Sequence, residues 1–381
     1  MMQDRYAPFD AQLRGLAAED RLRGLMPAKG HDFASNDYLA LANDPRLLNA
    51  AKAALERGVP VGSGGSRLLR GNHPEHEALE AEAATFFGAQ SCLYFGSGYA
   101  ANLALLSTLP QRGDLIVYDD LIHASVHEGL KARRADAVPV LHNDPQAVDD
   151  AITSWRARGG KGTVWIVVES LYSMDGDRAP LADLFAIAKR HDAFLMIDEA
   201  HATGVYGEGG RGLSEPYEGH PAMIALHTCG KALGVSGGLV TGDKRIIDFL
   251  INRARPFIFA TAPSPLNAAI LREALLMVAD TPVRRTRLAM LAHHANTNFA
   301  NRLDILPSGS QIIPVIIGEN AAAMHVAQRL QGAGFDCRAV RPPTVPAGTA
   351  RLRISITLHA TLEGIDQLTE EMVLAMQEVT A

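Results

Sequence analysis

The residues of this sequence best suited to chemistry are one lysine, one aspartate and a few histidines. Lys231 stands in HTCGKALGVSGG, His227 to Gly238, among small residues with glycines close on both sides. Two readings fit that stretch. Either the amine is kept for covalent chemistry, such as an imine with an aldehyde, or Gly230 and Gly234 mark a tight loop whose lysine points into water. Asp198 closes DAFLMID, where five apolar residues precede the acid. On a parallel strand it stands at the carboxyl end, where ligands bind in open α/β sheets, and His201 follows three residues later. The alternative for Asp198 is a helix cap or turn former. In GSGYAAN, Gly96 to Asn102, a glycine-rich turn opens a helix. Free N–H groups and the positive end of the helix dipole at Gly98 and Tyr99 suit one phosphate. A plain turn stays open beside that reading.

Taken together, these parts answer the three needs of pyridoxal phosphate: an amine for its aldehyde, an anion for its pyridine nitrogen and a cradle for its phosphate. An ion pair near 4 Å at an effective dielectric of ~20 is worth about 4 kcal/mol, on the order of three pKa units, enough to keep the ring nitrogen charged. His123, in DDLIHASVHEGL, is a candidate to stack on such a ring. Ser173 in YSMDGD and Thr228 in HTCGK could give hydroxyls to the ring oxygen or the phosphate. Each of these, taken alone, also reads as a cap, a turn residue or a surface group.

Two other classes of function compete for the same letters. DEAH, Asp198 to His201, invites a nucleic-acid helicase, but such a motor needs a G-x-x-x-x-G-K-[ST] loop. Gly230-Lys231 is followed by Ala232, and Ala225 stands where the first glycine should be. GSGYAAN invites a nicotinamide dehydrogenase, but its third glycine position is Ala101, and the sequence does not mark out the βαβ unit, with its acidic residue on the next strand, that such an enzyme needs.

Behind these residues lies an ordinary globular composition. The 381 residues are 47% hydrophobic and 20% charged, with a net charge of -6, which argues against a surface that tracks phosphate backbones. Cys92, Cys229 and Cys337 are far apart and form no C-x-x-C pair, a pattern of free thiols in a reducing compartment. The N-terminus lacks the apolar core of a signal peptide, and runs such as TVWIVV are too short for a bilayer. The expectation is a cytoplasmic protein that binds neither membrane nor nucleic acid.

The elements that must hold the site follow from hydrophobic rhythm. FDAQLRGLAAEDRLRGL, Pro45–Arg57 and Pro74–Phe87 have helical periodicity. The short runs SCLYF, DLIVY, AVPVL, TVWIVV, AFLMI, MIAL and GLV then alternate largely with helical or loop segments. Runs without strict polar alternation suit strands covered on both faces, as in a mainly parallel sheet between helices. Beyond about Thr281 a long helix (Val283–Arg302), QIIPVII, a helix at Ala321–Gln331, DCRAV, ARLRISI and a last helix read as a smaller α+β layer. The expected division is an N-terminal helix and arm at 1–44, a large α/β domain at 45–282 and a small C-terminal domain at 283–381.

SNDYLAL, GSGGSRLLRGNHPEHEALE, LIHASV, SLYSMDGDRAPL, IDEAHATGVYGEGGRG, TCGKALGVSGG and RPPTVPAGTARLRIS run in order through nearly the whole chain, and together they resemble the α-oxoamine synthases. The resemblance implies a fold-type I pyridoxal phosphate-dependent transferase with a mainly parallel seven-stranded sheet, which condenses an amino acid with an acyl thioester. RPPTVPAGTARLR is most similar to members that join L-alanine to pimeloyl-CoA or pimeloyl-ACP. The alternative within the family is glycine with acetyl-CoA or succinyl-CoA. By this resemblance Lys231 carries the cofactor, Asp198 pairs with the pyridine nitrogen, His201 with the phenolic oxygen, and His123 stacks over the ring. Gly98, Tyr99 and Thr228 hold the phosphate, and Ser173 also contacts the cofactor. Arg23, Arg341 and Thr344 orient substrates, with Asn36 near the reacting centre and Arg21 a rival to Arg23. A homodimer with shared active sites is implied as well. Three positions depart from the pattern: Ala40 and Ala202 replace glycines, and Phe259 stands where some relatives have tyrosine.

Overall fold

In the computed structural model of the chain, residues 5–380 are described. Seven strands build the main sheet: β1 (Ser91–Phe95), β2 (Leu115–Asp119), β3 (Asp136–Val140), β4 (Val164–Glu169), β5 (Phe194–Asp198), β6 (Met223–Thr228) and β7 (Gly238–Gly242). Their order across the sheet is β1-β7-β6-β5-β4-β2-β3. Neighbours are parallel except at β7, which runs antiparallel to both β1 and β6. The apolar runs of the sequence and the strands coincide to within two residues at either end.

Those runs lack polar alternation because both faces of the sheet are covered. Ile116, Val167, Met196 and Ile224 turn to one apolar cluster, shared with the helices Gly98–Thr108 and Lys244–Arg253. Their neighbours Val117, Val168, Ile197 and Ala225 turn to the other, shared with the helices Pro145–Ala157 and Leu181–Arg190. Successive side chains of a strand point to opposite faces, so a doubly covered strand must be apolar throughout. Each of the larger side chains among them (valine, isoleucine and methionine), once buried, contributes about 1.5–3 kcal/mol.

The chain then turns from strand to helix at one edge of the sheet. Ser97 caps Gly98–Thr108 by accepting from the Ala100 N–H at 3.1 Å, and the His123 ring nitrogen caps Ala124–Lys131 by accepting from the Ser125 N–H at 3.2 Å. Both caps satisfy N–H groups that a helix start leaves open.

Two compact units emerge, with limits that differ from the division expected above. One comprises Asp37–Ser173 and Asp177–Thr286. The other comprises the chain up to Asn36, Met174–Gly176 and the chain from Arg287 on. The N-terminal arm thus joins the C-terminal elements instead of standing apart, because His31–Asp32 pairs in parallel with Phe335–Asp336. Within that unit Ala339–Val340, Ala350–Ser355 and Ile312–Gly318 form an antiparallel sheet, and every residue of Ala350–Ser355 is buried. DCRAV is divided between two sheets, with Asp336 in one and Ala339–Val340 in the other. The N-terminal helix also ends early, at Ala18, where Asp20 takes a positive φ of 52°. It buries no residue, so no packing carries the helix through the charged EDRLR. Among the described residues no helix is long and apolar enough to cross a membrane.

Candidate active site

Strand ends β4, β5 and β6 and the two capped helices surround a cavity of about 140 Å³ in the larger unit. A groove of about 930 Å³ lies elsewhere, among the helices Pro45–Glu56, Pro74–Phe87 and Pro265–Asp280. Arg57, Glu75, Glu82 and Arg272 of that groove pair with one another, whereas the smaller cavity gathers the residues singled out for chemistry. Gly98, Tyr99, His123, Asp198, His201, Thr228 and Lys231 all line it.

The Lys231 stretch is the tight loop of the second reading, but its lysine turns into the cavity and not into water. The loop is tight: the Gly234 N–H returns to the Lys231 carbonyl at 2.9 Å, and the Val235 N–H reaches the Cys229 carbonyl at 3.0 Å. Gly234 has φ +68°, and a Cβ there would lie 2.6 Å from the Ala42 nitrogen, so only glycine closes the turn. The turn aims the amine at the cavity, where Lys231 Nζ lies 2.7 Å from His201 Nε2. His201 Nδ1 in turn lies 2.6 Å from the buried Tyr38 hydroxyl.

Asp198 ends β5, buried, with both oxygens held. Oδ2 accepts from Asn102 Nδ2 at 2.7 Å and Oδ1 from the Ala200 N–H at 2.9 Å. Asn102 also donates to Ser125 Oγ at 2.9 Å, which lies 2.8 Å from His123 Nδ1. The His123 imidazole is held below its ordinary value, first by partial loss of solvent and then by the opposed pulls of Asp198, upward, and Lys231, downward.

The cavity fits pyridoxal phosphate on its own geometry. An amine and a carboxylate face one space, and the start of Gly98–Thr108 supplies backbone donors beside a hydroxyl. A Cβ on Gly98 would fall 2.5 Å from Thr228 Oγ1, and one on Gly238 would fall 3.0 Å from Gly98 Cα. Glycine at both positions keeps that corner open for an anion.

The remaining expected residues fall outside this lining. Ser173 is buried, and its N–H donates to Glu169 Oε2 at 3.0 Å. Arg23, Arg341 and Thr344 gather in the other unit, where Arg23 Nη2 donates to Thr344 Oγ1 at 3.2 Å and Arg341 Nη1 to the Asp20 carbonyl. Arg21 and Arg23 both follow the N-terminal helix instead of lying on it, and Arg21 Nε donates to the Pro342 carbonyl at 3.3 Å. Asn36 belongs to that unit too, and its Oδ1 accepts from the buried Arg353 at 2.9 Å. Sequence reasoning missed Tyr38, Asn102, Ser125, Glu169 and Arg353. All five lie inside or beside motifs already singled out, but only the folded chain gives them partners.

A family model described as aminotransferase class I and II matches residues 28–371. The chain belongs to that family. An 8-amino-7-oxononanoate synthase from Herminiimonas arsenicoxydans is 42% identical over 344 residues, 88% of this chain and 87% of that protein. Among solved structures, a serine palmitoyltransferase from S. paucimobilis with a bound PLP–myriocin aldimine matches with a TM-score of 0.89 and 26% identity, covering 99% of this chain and 100% of that one. An 8-amino-7-oxononanoate synthase from Francisella tularensis matches with a TM-score of 0.78 and 26% identity, over 92% and 99%. The chain is therefore a fold-type I, pyridoxal phosphate-dependent acyltransferase of the α-oxoamine synthase kind.

Proposed function

We propose that the chain carries out the decarboxylative condensation of L-alanine with pimeloyl-CoA or pimeloyl-ACP, which yields 8-amino-7-oxononanoate, carbon dioxide and the free thiol carrier for biotin synthesis. The observation that carries the reading is the single cavity in which the Lys231 amine, the Asp198 carboxylate and the start of Gly98–Thr108 converge. Relatives 39–42% identical over most of the chain and bearing that enzyme's name support the substrates.

Bound pyridoxal phosphate supplies an electron sink for negative charge developing at the amino acid Cα. Lys231 Nζ serves twice: it anchors the cofactor covalently, and when freed it moves the proton at Cα. Asp198, fixed by Asn102 and Ala200, holds a proton on the pyridine nitrogen. His201, itself oriented by Tyr38, steers the Lys231 amine and pairs with the phenolic oxygen. His123 presents its imidazole to the ring and to the substrate. Gly98, Tyr99 and Thr228 bind the phosphate, and Ser173 acts at the cofactor from its place beside Glu169. Arg23, Arg341 and Thr344 orient the substrates, and Asn36 serves the reacting centre. The active form is a cytoplasmic homodimer with shared active sites, which sedimentation at low protein concentration checks.

The test is mass detection of product and carbon dioxide with alanine and each pimeloyl donor, beside glycine with acetyl-CoA and succinyl-CoA. Turnover restricted to the glycine pairs removes the alanine assignment. Lys231→Ala loses turnover by at least about 10³-fold together with the borohydride-trapped lysine adduct. Turnover surviving in that variant ends the reading.

A further inference from the structure

Glu169 closes β4 directly beside Asp198, its registered neighbour on β5. It is 2% exposed, lines the same cavity, and enters none of the roles above. Its Oε2 accepts from the Ser173 N–H, whereas Oε1 has no hydrogen-bond partner among the described residues.

Two buried carboxyls side by side do not both ionise. Asp198 is the better placed to keep the charge, because it accepts an amide N–H and a backbone N–H at 2.7 and 2.9 Å. Glu169 meets Asp198, Lys231 and Tyr172 as its titratable company, with the Ser173 and His123 backbone N–H groups. Burial first, and then the Asp198 charge, push its carboxyl up to about 8 against the opposing pull of Lys231 and those N–H groups. At neutral pH it holds its proton. A protonated carboxyl is a donor, and a buried donor without an acceptor is costly, so the unpaired oxygen calls for a partner, which a ligand in the cavity that Glu169 lines would supply.

We propose that Glu169 is a cofactor-contacting residue, whose Oε1 hydroxyl donates to an acceptor oxygen of bound pyridoxal phosphate while Asp198 remains the one anion of the pair. The proposal rests on the reading of the cavity as the pyridoxal phosphate site. It differs from a role in merely pinning Ser173, which Oε2 already performs.

The experiment compares wild type, E169Q and E169A as full chains reconstituted with pyridoxal phosphate. It reads the cofactor dissociation constant by equilibrium dialysis at several pH values and the borohydride-trapped Lys231 adduct in the same samples. Glutamine keeps a donor in place, so E169Q binds within about threefold of wild type, whereas E169A binds about tenfold more weakly. Wild-type affinity declines above pH about 8, as Glu169 becomes a second anion, and E169Q lacks that decline. Equal weakness of E169Q and E169A overturns the proposal, as does E169A binding as tightly as wild type. Should E169A not fold, the pH profiles of the other two decide, and identical profiles overturn it. Absence of the Lys231 adduct from wild type refutes instead the reading of the cavity.

Discussion

Two histidines follow neighbouring strands of the same sheet and take opposite roles. His123, after β2, opens to the cavity with Nδ1 on Ser125 and is held below its ordinary pKa. His142, after β3, has both ring nitrogens on carboxylates, Nδ1 at 2.8 Å from Asp119 and Nε2 at 2.7 Å from Asp177. Burial works against its charge, yet the two acids prevail and hold it up to about 10. Asp119 is correspondingly lowered, with burial opposing and the His142 and backbone contacts prevailing. Around His142 the charges are spent on one another. Around His123 an amine, a carboxylate and a protonated acid keep capacity for a ligand. Buried polar groups alone therefore do not mark a reactive site, and neither do unpaired atoms, since Asn143 Oδ1 and Asp177 Oδ1 beside His142 also lack a partner among the described residues; the open cavity at His123 makes the difference.

The largest effect expected from breaking this contrast lies on the cavity side. Asp198→Asn keeps the shape and one acceptor oxygen but removes the anion. The Coulomb term of about 4 kcal/mol then converts to a loss in kcat/KM on the order of 10³-fold. Stability should fall by about 1–3 kcal/mol, because the single oxygen of asparagine can accept from only one of Asn102 and Ala200 and its NH2 group meets the other donor. Steady-state kinetics beside a thermal melt reads both. A variant that unfolds without a catalytic defect in its folded fraction would place Asp198 with His142 among the structural groups.

The His142 side should respond in the reverse order. His142→Leu leaves Asp119 and Asp177 facing each other without their cation. Breaking a buried pair costs about 3–5 kcal/mol, and the quarter-exposed imidazole brings that to about 2. Cofactor trapping at Lys231 should survive in the folded fraction. The pH dependence follows from the raised value: the folded protein binds the extra proton between the ordinary histidine pKa near 6.5 and about 10. The stabilisation is whole below that window and declines as pH rises through it. Chemical denaturation from pH 6 to 10 should show this slope in wild type and a flatter one in the leucine variant. Matching slopes would mean that the bridge is not charged.

The same contrast explains what the sequence disclosed. Seven strands were legible because both faces of the sheet are apolar, and the Lys231–Asp198–His201 set because loop chemistry and strand ends are local signals. Glu169 was not legible. It ends an apolar run as Asp198 does, and only the register of β4 on β5 makes the two acids neighbours. Tyr38, Asn102 and Ser125 were within quoted motifs, but their use depends on partners 23 to 163 residues away. The fate of the N-terminal arm was hidden for a similar reason, since the two-residue pairing of His31–Asp32 with Phe335–Asp336 leaves no periodicity to read. His142 and Asp177 gave no sign of their pairing.

Ala40 supplies the smallest test, at the entrance to the segment that carries Tyr38. It adopts φ +51°, between the buried Leu39 and Leu41, at a position where the α-oxoamine synthase pattern has glycine. A non-glycine residue in that region costs roughly 1–2 kcal/mol, part of which glycine returns as entropy lost on folding. Ala40→Gly is therefore expected to stabilise the chain by up to about 1 kcal/mol, read as a small rise in the denaturation midpoint at constant slope. Because Tyr38 orients His201 and His201 meets Lys231, the pH profile of cofactor trapping reports whether the relaxed turn disturbs the site. An unchanged profile with a higher midpoint separates backbone strain from catalytic geometry. A shifted profile would show that the alanine at position 40 helps to set the position of Tyr38, and so brings a structural departure from the family pattern into the chemistry.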